Sequence, residues 1–404
     1  MNSDLVAVLD LGSTKVTCLA ASAEGADGMA IQAMATTPCR GMRKGQVSDL
    51  SDVTRAIAGA VKAVEEQVGQ EIEALVVGIT GSHIEGINSQ GMKPIFPAGR
   101  KVTHQDVLEV INHSREISLG PDREQIQALP REFRVDGQKK VQRPVGTFGS
   151  KIEVFTYIVS GQTPSLQNIE RAIGDAGKRV EQMVVQSLAS GIGVLTHEEM
   201  ELGSAVVDIG GQTTDVAIFI NGSIAFSASI PLGGQSVTSD LCTLLKTSPD
   251  EAERLKLMSG HACAYMVDEK ETIEVQQLGQ PVGRPMQRRV LCEIIESRMR
   301  EIAGLVGKEL DKSPFGTALP GGIALTGGGS ALPGADKLFE ETLARHRFRV
   351  AEPKLGSKFE ARPGMATAVG LASFAIQCFD EFSPAEGVLP WRERVKSLFS
   401  LLNR

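Results

Sequence analysis

The residues best suited to chemistry come in two matching sets. Near the N-terminus the chain reads Val6-Ala7-Val8-Leu9-Asp10-Leu11-Gly12-Ser13-Thr14-Lys15. In the second half it reads Ala205-Val206-Val207-Asp208-Ile209-Gly210-Gly211-Gln212-Thr213-Thr214-Asp215. Each is an apolar strand ending in Asp, an apolar residue and Gly, followed by small or polar residues and a second apolar run. That pattern predicts a β-hairpin whose tip offers backbone N–H groups and small side chains, with a carboxylate just before the turn. Two such tips facing each other would clamp a polyphosphate, and Asp10 and Asp208 would hold the waters of a bound Mg²⁺. One Asp-x-Gly turn often serves the backbone alone, so the repetition carries the argument. A third segment, Ala324-Leu325-Thr326-Gly327-Gly328-Gly329-Ser330, follows a strand and precedes a helix beginning near Pro333. Alone it reads as a flexible turn. Beside the hairpins it predicts close backbone approach to a flat or anionic ligand, so that three segments surround one nucleotide. Other nucleotide loops are absent: Gly177-Lys178 precedes Arg179, Gly307-Lys308 precedes Glu309, and no G-x-G-x-x-G opens a helix after a first strand.

The elements that position these residues follow from periodicity. Strands over 5–9, 16–20 and 31–36, a helix over 51–68 and a strand over 74–80 make an α/β layer over 1–81. In that helix Val53, Ile57, Val61, Val64 and Val68 line one face. Residues 82–162 read as an α+β insertion. Its helix over 103–118 opens with Thr103-x-x-Asp106, a capping box with Asp in place of Glu. Its strand over 151–160 sets Ile152, Val154, Thr156 and Ile158 on one face. The core returns over 163–232 with a helix at 165–176, a strand at 180–186 and the second hairpin. A helix-rich insertion spans 233–312, with helices at 236–245, 249–258 and within 287–310. The core closes over 313–379 with a strand at 323–325 and a helix at 365–378. Residues 380–390 read as a linker and 391–404 as a short terminal helix.

With 404 residues, 42% hydrophobic and 23% charged, the chain reads as soluble and globular, long enough for two medium domains. A net charge of −7 argues against nucleic-acid binding. The six cysteines show no C-x-x-C spacing and read as reduced thiols of a cytosolic protein. Asp4 and Asp10 interrupt the first apolar run, which does not read as a signal peptide. No stretch is long enough to span a bilayer, so membrane contact is expected to be peripheral.

Two further patterns suggest partners. Trp391, Val395, Leu398, Phe399 and Leu402 recur at helical spacing, flanked by Arg392, Arg394, Lys396 and Arg404 against Glu393. An apolar face bordered by basic residues suits an anionic membrane surface, although a helix docked on the core or on a partner is the plainer alternative. Arg288, Arg289, Arg298 and Arg300 alternate with Glu296 and Glu301, by default a solvated, charge-paired helix face.

The hairpins and the Gly-rich segment resemble the superfamily of actin, heat-shock chaperones and sugar kinases. Within it, Ile79-Thr80-Gly81-Ser82-His83-Ile84, Ala128-Leu129-Pro130-Arg131-Glu132-Phe133, Pro144-Val145-Gly146, and Gly233-Gly234 with Thr238-Ser239-Asp240-Leu241 resemble the bacterial cell-division FtsA family over nearly the whole chain. The resemblance implies an actin-like two-lobed ATPase fold with duplicated RNase-H-like cores, an α+β insertion in the first half and a helix-rich one in the second. It implies ATP and Mg²⁺ as cofactors. Gly12, Ser13, Thr14 and Lys15 would meet the β- and γ-phosphates from one side and Gly210, Gly211, Gln212, Thr213 and Thr214 from the other. Gly234, Gly327, Gly328, Gly329 and Ser330 would approach the nucleoside, and Glu253 and Lys256 would reach the ribose and base. For Glu253 and Lys256 the plain alternative is an exposed helical ion pair. Gln212 stands where relatives often carry a third glycine, and its side chain would crowd or hydrogen-bond the γ-phosphate. Gln186 falls where relatives orient the attacking water, or serves structurally at a strand end. Firm ATP binding with slow or undetectable turnover is the expectation.

The resemblance also implies self-assembly, binding of the acidic tail of the tubulin-like FtsZ by the arginine helix, and a membrane-bound tail. The location implied is the cytoplasmic face of the inner membrane at the division site, where later division proteins are recruited. A metabolic kinase of the same superfamily would leave the first insertion and the tail without a role. A chaperone would need more chain after residue 379, and the pilus-assembly relative generally lacks such a tail.

Overall fold

The computed structural model describes residues 5–380 apart from 25–27, 142, 281, 318 and 356–358. In the first half Val6–Leu11, Lys15–Glu24 and Gly28–Pro38 form an antiparallel meander. Ala74–Ile79 and then Arg179–Val185 join it in parallel on the other side of Val6–Leu11. The second half repeats this five-strand order with Ser223–Ile230, Thr214–Ile220, Ser204–Ile209, Ile323–Thr326 and Phe348–Val350. The duplicated core predicted from the two motifs is therefore present. Val6–Leu11 and Ser204–Ile209 lie at the centres of their sheets with neighbours on both sides, which is why they read as continuous rather than alternating apolar runs.

Helix Leu50–Val68 starts where the Asp49 side chain accepts the Asp52 N–H and stops at Gly69 in the left-handed region (φ 71°). It buries Val53, Ile57, Val61 and Val64 on the first sheet. Between the two sheets lie Gln186–Val194 and Ala366–Asp380, whose apolar residues share one core with strands of both halves. The approach of these two helices is backbone to backbone. A Cβ on Gly370 would fall 1.7 Å from the Ala189 carbonyl oxygen, and one on Gly193 2.4 Å from that of Ala366. Only glycine permits this contact.

The first insertion is a separate three-stranded sheet with Lys151–Gln162 between Ile84–Pro94 and Arg123–Val135, backed by His104–Arg115. Ile152, Val154, Thr156 and Ile158 are all fully buried. The Thr103–Asp106 capping box forms, and Asp106 also accepts from Arg100 and Lys93, which holds its carboxyl well below the usual range. The helix ends at Arg115, short of the expected 118, and the two outer strands went unread because Ile84–Pro94 is mostly polar and Arg123–Val135 carries Pro130 beside a bulge.

The second insertion comprises Gly234–Leu245, Pro249–Ser259 and Arg288–Lys312, together with a hairpin, Thr272–Val275 with Arg284–Gln287, that periodicity did not reveal. Its Val237, Leu241, Leu255 and Ile295 pack in one core with Val207, Val216 and Leu325 of the second sheet. The expected linker 380–390 and tail 391–404 lie outside the described residues, except that the helix beginning at Ala366 runs to Asp380. No helix among the described residues is long and apolar enough to cross a membrane.

Candidate functional site

The two hairpins end in four-residue tips of the same build. Leu11 pairs with Val16 and Ile209 with Thr214, leaving 12–15 and 210–213 as the tips. The Gly12 N–H donates to the Lys15 carbonyl at 3.0 Å and the Gly210 N–H to that of Thr213 at 2.8 Å. The tips meet across the molecule: a Cβ on Gly211 would come within 2.6 Å of the Thr14 side chain. Behind the second tip, the N–H groups of Gly234 and Gln235 donate to the carbonyls of Gly210 and Gly211. These contacts seat the helix Gly234–Leu245 directly on the tip.

Between the tips opens a cleft of about 1120 Å³. Of the residues singled out in the sequence, Asp10, Gly12, Ser13, Thr14 and Lys15 line it from the first half and Gln186 from the helix Gln186–Val194. Asp208, Gly210, Gly211, Thr213, Gly234, Glu253, Lys256, Gly327, Gly328 and Gly329 line it from the second half. Three others do not. Thr214 occupies the strand position that Val16 holds in the first copy, paired with Ile209, and its hydroxyl donates to the Leu232 carbonyl. Ser330 is buried and donates to the Gly327 carbonyl. Gln212 turns away from the cleft and engages Lys44 and Gln235.

Three carboxylates meet at the cleft floor. Burial pushes Asp10 up to about 7, with Asp208 and Asp215 raising it further against the pull of Lys15. Burial raises Asp208 as well, opposed by the hydroxyls of Ser190 at 2.5 Å and Thr367 at 2.9 Å. Asp215 is pushed by burial to about 6, opposed in part by Thr80, whose hydroxyl donates to it at 2.5 Å. Such a cluster favours a cation. Gly327, at φ 81°, lets the Gly-rich loop close on this cluster, since a Cβ there would sit 2.2 Å from Asp208 Oδ1. Among the described residues no three acidic, His or Cys side chains are arranged to ligate a metal directly. Asp10 and Asp208, one carboxylate from each half, line the same cleft, and oxygen donors of this kind suit a hard divalent cation.

Gln186 is the first residue of a helix rather than the last of a strand. Its Nε2 donates to Asp10 Oδ1 at 2.8 Å and to the carbonyls of Leu11 and Gly78. At the other end of the cleft, Lys256 Nζ bridges Glu253, Thr238 and the Gly234 carbonyl, so this pair is more than an exposed helical ion pair. Sequence reasoning missed Asp215, Thr80, Arg40, Gly364 and Thr367, which also line the cleft. Asp215 alone had a local signal, as the carboxylate opposite Asp208 in the second hairpin.

The four arginines are not gathered on one open face. Arg288 pairs with Glu271, Arg289 with Glu269 and Glu293, Arg298 with Asp240 and Glu301, and Arg300 with Glu296 and Glu341. Trp391, Val395, Leu398, Phe399 and Leu402 lie outside the described residues.

Two copies of one five-stranded sheet, with two helices packed between them and a common cleft, define the actin-like ATPase fold. Solved structures agree. The PilM–PilN type IV pilus biogenesis complex aligns with a TM-score of 0.61 at 16% identity, covering 92% of this chain and 98% of that one. MreB5 of Spiroplasma citri aligns with a TM-score of 0.57 at 14% identity, covering 94% and 99%. At family level, a model described as cell division protein FtsA matches residues 205–370, and one described as the SHS2 domain inserted in FtsA matches 81–160. The FtsA of Neisseria meningitidis serogroup B is 34% identical over 408 residues, 99% of this chain and 97% of the relative. That of Escherichia coli K12 is 32% identical over 385 residues, 92% and 90%. The chain belongs to the FtsA family of cell-division proteins.

Proposed function

We propose that this chain binds ATP with Mg²⁺ in the cleft, self-assembles, and tethers FtsZ to the inner face of the cytoplasmic membrane at the division site, where it recruits later division proteins. The observation that carries the nucleotide reading is the pair of facing tips above a carboxylate cluster whose acidity burial weakens. In this reading Gly12, Ser13, Thr14, Gly210, Gly211 and Thr213 cradle the phosphates and Lys15 supplies a cation. Asp10 and Asp208 hold the hydrated metal, which neutralises phosphate charge when bound. Gly327, Gly328 and Gly329 approach the nucleoside, and Glu253 with Lys256 faces the ribose and base. Two MreB5 structures, described as bound to ADP and to AMPPNP, support the choice of ligand.

Gln186 spends its N–H donors on Asp10 and two carbonyls, which leaves its carbonyl oxygen as the group to orient a water. A single acceptor is modest catalytic equipment, consistent with slow turnover. The membrane and FtsZ roles rest on the amphipathic pattern of 391–404, on the arginine helix and on family membership. Because each arginine is already ion-paired, an acidic FtsZ tail would share or displace a carboxylate of this chain, which favours a weak, exchangeable contact.

Co-sedimentation of the full chain with anionic vesicles, ATP and an FtsZ tail peptide tests these activities together. Wild type should pellet with the vesicles and carry the peptide with it, and Phe399→Asp should stay in the supernatant. Unchanged pelleting of Phe399→Asp would refute the tail assignment.

A further inference from the structure

At the second tip Gln212 takes the place that Thr14 holds in the first, yet its side chain leaves the cleft and spans the two halves of the molecule. Its Oε1 accepts from the backbone N–H of Lys44 at 2.9 Å. Its Nε2 donates to Gln235 Oε1 at 2.7 Å, and Gln235 lines the cleft while its own N–H donates to the Gly211 carbonyl. The amide plane of Gln212 is thus fixed from its own side, with its acceptor aimed at the opposite half.

The receiving group is equally well placed. Lys44 and Gly45 form the two-residue turn between Met42–Arg43 and Gln46–Val47, with φ of 51° and 83°. Positive φ at both positions is the type I′ geometry, which puts the Lys44 N–H at the turn rather than in the strand ladder. This hairpin rests against the end of Ala74–Ile79: a Cβ on Gly45 would lie 2.0 Å from the Thr80 carbonyl oxygen. The first tip reaches across in the other direction, with Lys15 Nζ 3.4 Å from the Gly364 carbonyl. Each tip is tied to the half it does not belong to.

We propose that Gln212 is an interlobe latch, a positioning residue that keeps the halves closed over the phosphates and slows nucleotide release. This role rests on the nucleotide reading above. Swinging the halves apart to free the ligand breaks the Gln212–Lys44 hydrogen bond. A third glycine at this position has no side chain to make it, so this chain gains a closing contact that a glycine tip lacks.

The test measures release of a fluorescent ATP analogue from the full chain by chase with unlabelled ATP, alongside hydrogen exchange of the 40–47 segment. Gln212→Ala should release the analogue roughly three- to ten-fold faster, the effect of losing one neutral hydrogen bond. Gln235→Ala, which frees the amide plane but leaves the acceptor for Lys44 in place, should give a smaller increase. The Lys44 amide should exchange more slowly in nucleotide-free wild type than in Gln212→Ala, and slow further with nucleotide in wild type alone. Equal release rates, or equal exchange at Lys44 with and without the Gln212 side chain, would overturn the latch. Failure of wild type to retain the analogue would overturn the nucleotide reading, and the latch's role with it.

Discussion

Individual residues in this chain are tuned chiefly by burial. Asp10 and Asp215 are raised because the cleft desolvates them faster than nearby donors and Lys15 compensate. His83 shows the same physics away from the cleft. It is 1% exposed at the entry to the first insertion, and neither ring nitrogen has a hydrogen-bond partner among the described residues. Burial lowers it to about 4, with the Arg123 guanidinium adding to the effect. In the unfolded chain it titrates near its ordinary value, so between about pH 6.5 and 4 the unfolded state binds more protons. The contribution of His83 to stability is then complete above about pH 6.5 and declines as pH falls through this window, by at most about 3 kcal/mol. Urea unfolding of wild type and His83→Leu from pH 7.5 to 5 should show the difference between them changing in that direction. A pH-independent difference would contradict the assignment. The burial of this residue was not legible: His83 stood out only as part of the Ile79–Ile84 motif, and only the tertiary packing seals the ring. Asp208 was legible because it repeats Asp10, whereas the position of Asp215, opposite Asp208, is held by Thr17 in the first copy, so the repeat gave no hint of it.

At the level of elements, glycine decides how the two helices between the sheets pack. Helices Gln186–Val194 and Ala366–Asp380 touch through Gly370 and Gly193 so closely that their backbones are neighbours. Gly370→Ala must push these helices apart, at a cost of about 1–3 kcal/mol in chemical denaturation. An unchanged unfolding midpoint would show that this packing can yield. This also explains why the short helix 186–194 was not read from sequence. Gly191 and Gly193 lower its propensity, and they are there for packing: a Cβ on Gly191 would sit 2.3 Å from the Phe219 ring. Strands with continuous apolar runs were read correctly, since burial on both faces marks them, as were helices with a clear face such as Leu50–Val68. Edge strands of the first insertion, half-exposed and broken by Gly, Pro and bulges, carry no such mark.

For the molecule as a whole, the design is two copies of one sheet that place equivalent carboxylates and equivalent tips on opposite walls of a cleft. The second insertion shares its core with the second sheet, whereas the first has a small core of its own around Ile152 and Val154 and lends Tyr157 and Val159 to the core between the sheets. Ligand bound between the tips therefore bears on the relation of the halves, the property on which assembly would depend. In the proposed function this cleft takes ATP through the second tip as much as through the first. Gly210 is the most exacting test of it, because a Cβ there would already lie 3.1 Å from the Thr213 carbonyl oxygen and a carboxylate would add charge beside Asp208. Calorimetric titration of ATP with Mg²⁺ into the full chain should give saturable binding to wild type and none to Gly210→Asp at matched folding. Undiminished affinity in Gly210→Asp, or no binding to wild type, would contradict the account.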